Sequence, residues 1–193
     1  MFYKMADILK PGMVGTAELD IMDYTNRKLS FHETLAGIAP ERYARLKIGG
    51  CTIMSETPME HRTNAGFVLN SYGDVLIGGL GIGMIILPIQ EKKEVSSVTV
   101  LEKNFDVIVL IAHQLPLNNK VRILNEDVYT WKPDMRFDSV YMDIWGDLST
   151  DDYDDMKRLK RKYGHYLKPK EESPDRINMC WNEYAAKHGR RFY

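Results

Sequence analysis

Cysteine is scarce in this chain: Cys51 and Cys180 are the only two, and neither belongs to a paired motif. That excludes a disulfide framework and sets the expectation of a reducing, cytoplasmic setting. Long apolar runs are lacking too. The longest, Val75 to Ile89, is broken by four glycines and a proline. A membrane span needs about 20 residues, so the stretch reads as buried interior. Met1 to Lys10 carries Asp7 and Lys10 and has no apolar core for a signal peptide, which sets the secreted and membrane classes aside. Neither sign of charge dominates, since 26 basic and 27 acidic side chains leave a formal net charge of −1. No global positive field gathers nucleic acid; only a local patch can. His32, His61, His113, His165 and His188 show no metal-ligand spacing with one another or with the cysteines, so no metal is expected.

What is present is ordinary for a globular chain: 193 residues, 44% hydrophobic and 27% charged. This is the size of one average domain. The first third reads as β-structure. Arg42 to Ile48 and Cys51 to Ser55 flank Gly49-Gly50, a pair suited to a tight hairpin. In Thr57-Pro58-Met59-Glu60, Thr57 is placed to cap a helix, Pro58 suits its first position and Glu60 completes a capping box. The helix then runs from about Pro58 to Leu69.

Beyond Asp74 the pattern becomes alternating. Val75-Leu76-Ile77 is a buried strand that runs into Gly78-Gly79-Leu80-Gly81-Ile82-Gly83, followed by the apolar Met84-Ile85-Ile86-Leu87. Val98 to Leu101, Val121 to Leu124 and Phe137 to Ile144 are three further strands. Asn104 to Ala112 has strand-like β-branched residues, but the running alternation assigns it a helix. Such a rhythm implies a parallel sheet with helices on both faces and a ligand crevice beyond the carboxyl ends of the strands. After Trp145 the chain looks mainly helical. One helix is capped by Ser149 with Asp152, and a short one from Asn182 to His188 is stopped by Gly189.

The polar residues just after each strand carry the chemistry. Gly79, Gly81 and Gly83 allow a sharp turn out of a strand and close approach of a ligand to peptide N–H groups. Glu102 closes the next strand, about 20 residues on, the spacing of an acid that accepts both ribose hydroxyls. Asp127 closes the third, where a carboxylate can accept an adenine amine proton. The dinucleotide fingerprint lacks its third glycine, where Met84 stands, and no lysine follows as in a triphosphate loop. A single anionic group beside the turn, such as an amino-acid carboxylate, fits better than a pyrophosphate.

Val75 to Met84, with Glu102, Asp127 and Asp143, resembles motifs I to IV of the Rossmann-like S-adenosylmethionine-dependent methyltransferases, over about Thr57 to Trp145. Met54-Ser55-Glu56-Thr57-Pro58-Met59-Glu60 with Arg62-Thr63-Asn64 and Gly73 to Ile77 is similar to small methyltransferase-like proteins of phages and prophages. The resemblance implies S-adenosylmethionine as cofactor. It implies that the turn with Gly79, Gly81 and Gly83 holds the methionine end, Glu102 the ribose, and Asp127 with Val128 the adenine. Asp143 would face the transferred group as the candidate catalytic residue.

The departures are informative. Asp143-Ile144-Trp145-Gly146 is not the motif of amino-directed DNA methyltransferases, and no Pro-Cys pair supplies a thiolate; Cys180 reads as far from any strand end. The N-terminal β-segment resembles that of spermidine synthases, but Ile82 replaces the acid of their glycine loop. The fold expected is α/β, a Rossmann-like sheet truncated on its C-terminal side. Residues 1–56 form a β-rich extension, and residues 57–193 the nucleotide domain with a helical tail. A second copy of the chain can complete such a site. Asp147, Asp151, Asp152, Asp154 and Asp155 lack the glycine of a calcium loop and complement a helix dipole, as do Lys157 to Lys162 at its far end; a nucleic-acid patch there is the weaker reading. Tyr141 and Trp131 read as core, and Trp145 as core or pocket cover. Function reads as methyl transfer to an unknown acceptor by direct displacement. The alternatives are an adenosyl-binding or structural protein without catalysis, and aminopropyl transfer.

Overall fold

The computed structural model describes residues 2–146 and 152–189. Its first part holds α1 (Met5–Ile8), β1 (Gly12–Val14), β2 (Ala17–Asp23), α2 (Phe31–Leu35), β3 (Arg42–Ile48) and β4 (Cys51–Ser55). The four strands form one antiparallel sheet in chain order. Gly49 and Gly50 turn β3 into β4 with φ of 56° and 82°, values that suit a two-residue hairpin twisted like its strands.

The second part runs α3 (Pro58–Asn70), β5 (Gly73–Gly78), α4 (Ile86–Gln90), β6 (Val95–Leu101), α5 (Phe105–Ile111), β7 (Val121–Leu124), β8 (Ser139–Met142), α6 (Asp152–Gly164), β9 (Ile177–Cys180) and α7 (Glu183–His188). The strands pair in parallel in the order β7-β6-β5-β8-β9. This is an α/β, Rossmann-like sheet. The chain steps outward from β5 to β7 and then crosses back to β8, so strand order reverses between β5 and β8. A crevice opens at the carboxyl ends of strands that diverge in this way.

Alternation along the strands sorts their side chains into two cores. Val75, Ile77, Val98, Val100 and Tyr141 join Phe67 of α3, Ile86, Leu87 and Ile89 of α4, Val107, Leu110 and Ile111 of α5, and Leu19 and Leu46 of the antiparallel sheet. Leu76, Val140 and Met142 face Met156, Leu159 and Tyr163 of α6. Both faces are therefore covered, as a parallel sheet requires.

Two carboxylates fasten the antiparallel sheet. Glu56 is fully buried and accepts the amides of Met5, Ala6 (2.8 Å) and Ala44 (3.2 Å). It thereby caps α1, whose own preceding residue, Lys4, provides no side-chain cap. Asp106 of α5 accepts the Thr16 amide at 2.9 Å.

Three expectations change. Thr57 does not cap α3 through its side chain. Its hydroxyl lies 3.2 Å from that of Ser55, and Glu60 turns inward with Asn64 and Phe67 rather than back to the helix start. Second, the C-terminal segment is not wholly helical, because Ile177–Cys180 pairs with β8 as a fifth parallel strand. One strand therefore follows the fourth among the described residues. Third, Cys180 ends that strand rather than lying far from one. Ser149, Asp147 and Asp151 lie outside the described residues.

Candidate functional site

A cavity of about 300 Å³ lies at the carboxyl ends of β5, β6, β7 and β8, where strand order reverses. Its floor is the turn after β5, and the β3–β4 hairpin closes it from above with Leu46, Ile48, Ile53 and Met54. The volume is that of a small-molecule site. Among the described residues Glu60, Glu102, Glu126, Asp127 and Asp143 line it, against Lys103 as the one lysine or arginine.

The turn owes its shape to glycine. Gly79 has φ of 99°, and a Cβ there would meet the Asp143 carbonyl oxygen at 2.2 Å. Only glycine lets the ends of β5 and β8 come this close. Gly81 has φ of 51°, and its missing Cβ makes room for the Met54 sulfur. Gly83, also at positive φ, packs against Leu115. Part of the glycine requirement thus comes from packing within the protein. The Leu80 amide is donated to Glu102 at 2.9 Å and the Gly79 amide to Leu101 at 2.8 Å. The amides of Gly81 and Ile82 have no hydrogen-bond partner among the described residues.

Glu102 sits in the cavity wall with both oxygens engaged. Oε2 accepts from Leu80 and Oε1 from the Asn104 amide at 2.8 Å. Each oxygen keeps a second lone pair. Asp127 accepts the Tyr129 amide at 2.8 Å and pairs with Lys103 at 2.8 Å; these contacts, Lys103 first, hold its carboxyl below the usual range. Val128 is nearly buried, and its amide has no partner among the described residues. Its carbonyl takes bonds from Lys162 (2.7 Å) and the Tyr163 hydroxyl (2.8 Å), so α6 clamps this loop.

Asp143 follows β8 directly and lines the cavity. Burial pushes its carboxyl up to about 7. Opposite is Glu60, a residue that local sequence reading assigned to a capping box. α3 packs antiparallel to β8: Phe67 stacks on Tyr141 with ring centroids 4.4 Å apart, and the Tyr141 hydroxyl donates to Asn64 at 2.9 Å. One helical turn nearer the strand end, that same face presents Glu60 to the cavity. Burial, and secondarily the charge of Asp143, push Glu60 up to about 8. A signal existed in the sequence: an acid recurring with Asn64 and Phe67 on one helical face.

Trp145 and Trp181 also line the cavity. The Trp181 indole N–H is spent on the Thr63 hydroxyl at 3.0 Å. Tyr141 is core, as its composition suggested, and Trp131 packs partly buried against the α6 side. The Cys180 thiol is buried and pushed up to about 12. On α6, Lys157 and Arg158 pair with Asp154 and Asp155, and Lys160 with Glu183. Most of that basic run is thus tied within the protein. No group of three or more metal-ligating side chains occurs among the described residues, and no helix among them is long and apolar enough to cross a membrane.

No protein-family model matches the chain, and no curated protein matches it significantly. Solved structures resemble parts of it. A complex of DhpI with SAM and HEP is 21% identical over 57% of this chain and 47% of that one, with a TM-score of 0.41. The N-methyltransferase NodS from Bradyrhizobium japonicum WM9, in complex with S-adenosyl-L-homocysteine, is 12% identical over 58% of each chain, with a TM-score of 0.46. CalS10, an amino pentose methyltransferase from Micromonospora echinaspora with SAM bound, is 22% identical over 57% of this chain and 44% of that one, with a TM-score of 0.39. The match thus spans about half the length of those proteins. Likeness this distant says nothing of what the chain binds.

Proposed function

We propose that the chain binds S-adenosylmethionine in this cavity and transfers its methyl group to an acceptor. The observation that carries the reading is the convergence, around one cavity at the reversal of strand order, of three polar devices on three successive strand ends. The residues present fit the group. Asp127 would accept from the adenine amine while the unpaired Val128 amide donates to the ring. The free lone pairs of Glu102 would take the ribose hydroxyls. The unpaired amides of Gly81 and Ile82 would hold the amino-acid carboxylate. When bound, the cofactor supplies a methyl group already activated by its sulfonium. The protein then has to exclude water and align the nucleophile. The apolar hairpin wall of Leu46, Ile48, Ile53 and Met54 does the first, and Asp143 and Glu60 stand where the second is needed.

Adenosyl binding without transfer is the second reading, favoured by the Met54 sulfur resting on the glycine turn. Aminopropyl transfer finds no support in the site, where the buried, apolar Ile82 stands at the loop position an acid would take.

Calorimetric titration with S-adenosylmethionine, S-adenosylhomocysteine and NAD tests this. Micromolar binding of the adenosyl compounds, with NAD inert, is the expected result. Binding of neither compound, or of NAD alone, overturns the assignment.

A further inference from the structure

Glu60 is only 8% exposed. It lines the cavity, yet its carboxylate accepts no hydrogen bond and meets no cation among the described residues. A carboxyl group buried in this way is costly to keep unless something completes it. The packing of α3 on Tyr141 gives it no internal partner and instead sets it beside Asp143, a second carboxyl group. Two indoles, Trp145 and Trp181, line the same cavity. With its N–H given to Thr63, Trp181 offers the cavity its ring. Lys103 is held at the other side by Asp127, so among the described residues no positive side chain competes for this end. Two carboxyls and two aromatic faces suit an organic cation, and they repel an anionic acceptor.

Resting on the proposed function, the geometry points to a subsite for a protonated amine acceptor, with Glu60 and Asp143 as its anionic wall and Trp145 and Trp181 as its aromatic sides. The wall also accounts for how the amine becomes nucleophilic. An N–H bond of the ammonium breaks, its electron pair stays on nitrogen, and the proton passes to a carboxylate oxygen of the pair. Two carboxyls lining one cavity take up a proton readily, because burial and like charge resist the ionisation of both. Their raised values, about 7 and about 8, put that exchange near neutral pH.

The test uses benzylamine and its neutral counterpart benzyl alcohol as probes. Binding is followed by tryptophan fluorescence and calorimetry at about pH 8.5, where both carboxyls are mostly ionised and the amine still mostly carries its proton, with and without S-adenosylhomocysteine. Benzylamine should bind at least about tenfold more tightly than the alcohol, the scale of one charge-assisted contact. Glu60→Gln and Asp143→Asn should each remove about that factor while leaving the alcohol, and S-adenosylhomocysteine, bound as in the parent. Circular dichroism checks each variant, and Asp143→Asn carries the comparison if Glu60→Gln fails to fold. Equal binding of the two probes overturns the subsite, as does a preference that survives both substitutions, or no amine binding up to its solubility limit. Failure of S-adenosylhomocysteine to bind overturns the proposed function instead, and the amine preference is still read without it.

Discussion

Met54 of β4 rests directly on the turn that follows β5: a Cβ built at Gly81 would lie 2.3 Å from its sulfur. The antiparallel sheet therefore touches the candidate ligand loop itself, and the two parts of the protein are joined at the site. Gly81→Ala should be destabilising for two separable reasons, backbone strain at φ of 51° and collision with Met54. Strain alone costs about 1–2 kcal/mol. Denaturant unfolding of Gly81→Ala in the parent and in a Met54→Ala background separates them. The collision portion should vanish in the second background, giving a coupling above about 0.5 kcal/mol. Strict additivity would mean that the methionine yields at no cost.

Glu102 ties the glycine turn to the start of α5, so its loss is structural before it concerns any ligand. Glu102→Ala leaves the Leu80 and Asn104 amides without their acceptor and should cost about 1.5–3 kcal/mol of stability. Glu102→Gln keeps one acceptor oxygen and should cost less. Its affinity for S-adenosylhomocysteine should still fall, by about tenfold, because the charge facing the ribose is gone. Unchanged affinity in the glutamine variant would remove the ribose assignment.

Glu56 does for α1 what an N-cap normally does, from about fifty residues away in the chain. Glu56→Ala should unfasten α1 and β3 together and cost about 3 kcal/mol or more, as expected when three amides lose a buried charged acceptor. Hydrogen exchange should show the Met5, Ala6 and Ala44 amides losing protection together. Loss at Ala44 alone would mean that α1 is held by its apolar contacts.

Local chemistry made much of this architecture readable. The Gly49-Gly50 hairpin and the strands before Gly79, Glu102 and Asn125 follow from β-rich runs bounded by turn formers. Asn104 caps α5, accepting the Asp106 amide at 2.9 Å, so the helix prevails over β-branched content there. Strand β9 was not legible, because Ile177-Asn178-Met179-Cys180 has neither alternation nor β-rich composition. It becomes a strand by pairing with β8, a contact made far from it in sequence. Glu60 was misread for the same reason: a capping box is a local pattern, whereas its actual direction is set by how α3 packs on Tyr141. Met54 likewise gave no sign of its place over Gly81, since only the docking of the two sheets brings them together.

The Glu60–Asp143 pair should leave its mark on stability as a function of pH. Ordinary carboxyls titrate at 4.5 and 3.8, whereas these titrate at about 8 and about 7 in the folded protein. Between those limits the folded state holds protons that the unfolded chain releases, so stability contributed by the pair falls as pH rises and levels off above about 8. Tyr141 and Asp143 are the titratable groups facing Glu60 from β8 and its end, and among the described residues no lysine or arginine offsets them. Carboxyls held low by partners, such as Asp20 at about 2 beside Arg45, act below this window and cancel when variant is compared with parent. Glu60→Gln removes the charge that must otherwise be buried. It should match the parent within about 1 kcal/mol at pH 5 and exceed it by about 2 kcal/mol or more at pH 9. Urea unfolding at the two pH values measures the difference. A variant that loses stability as pH rises as steeply as the parent would show that Glu60 ionises freely in the folded protein, and the cavity would then be far wetter than its apolar hairpin wall implies.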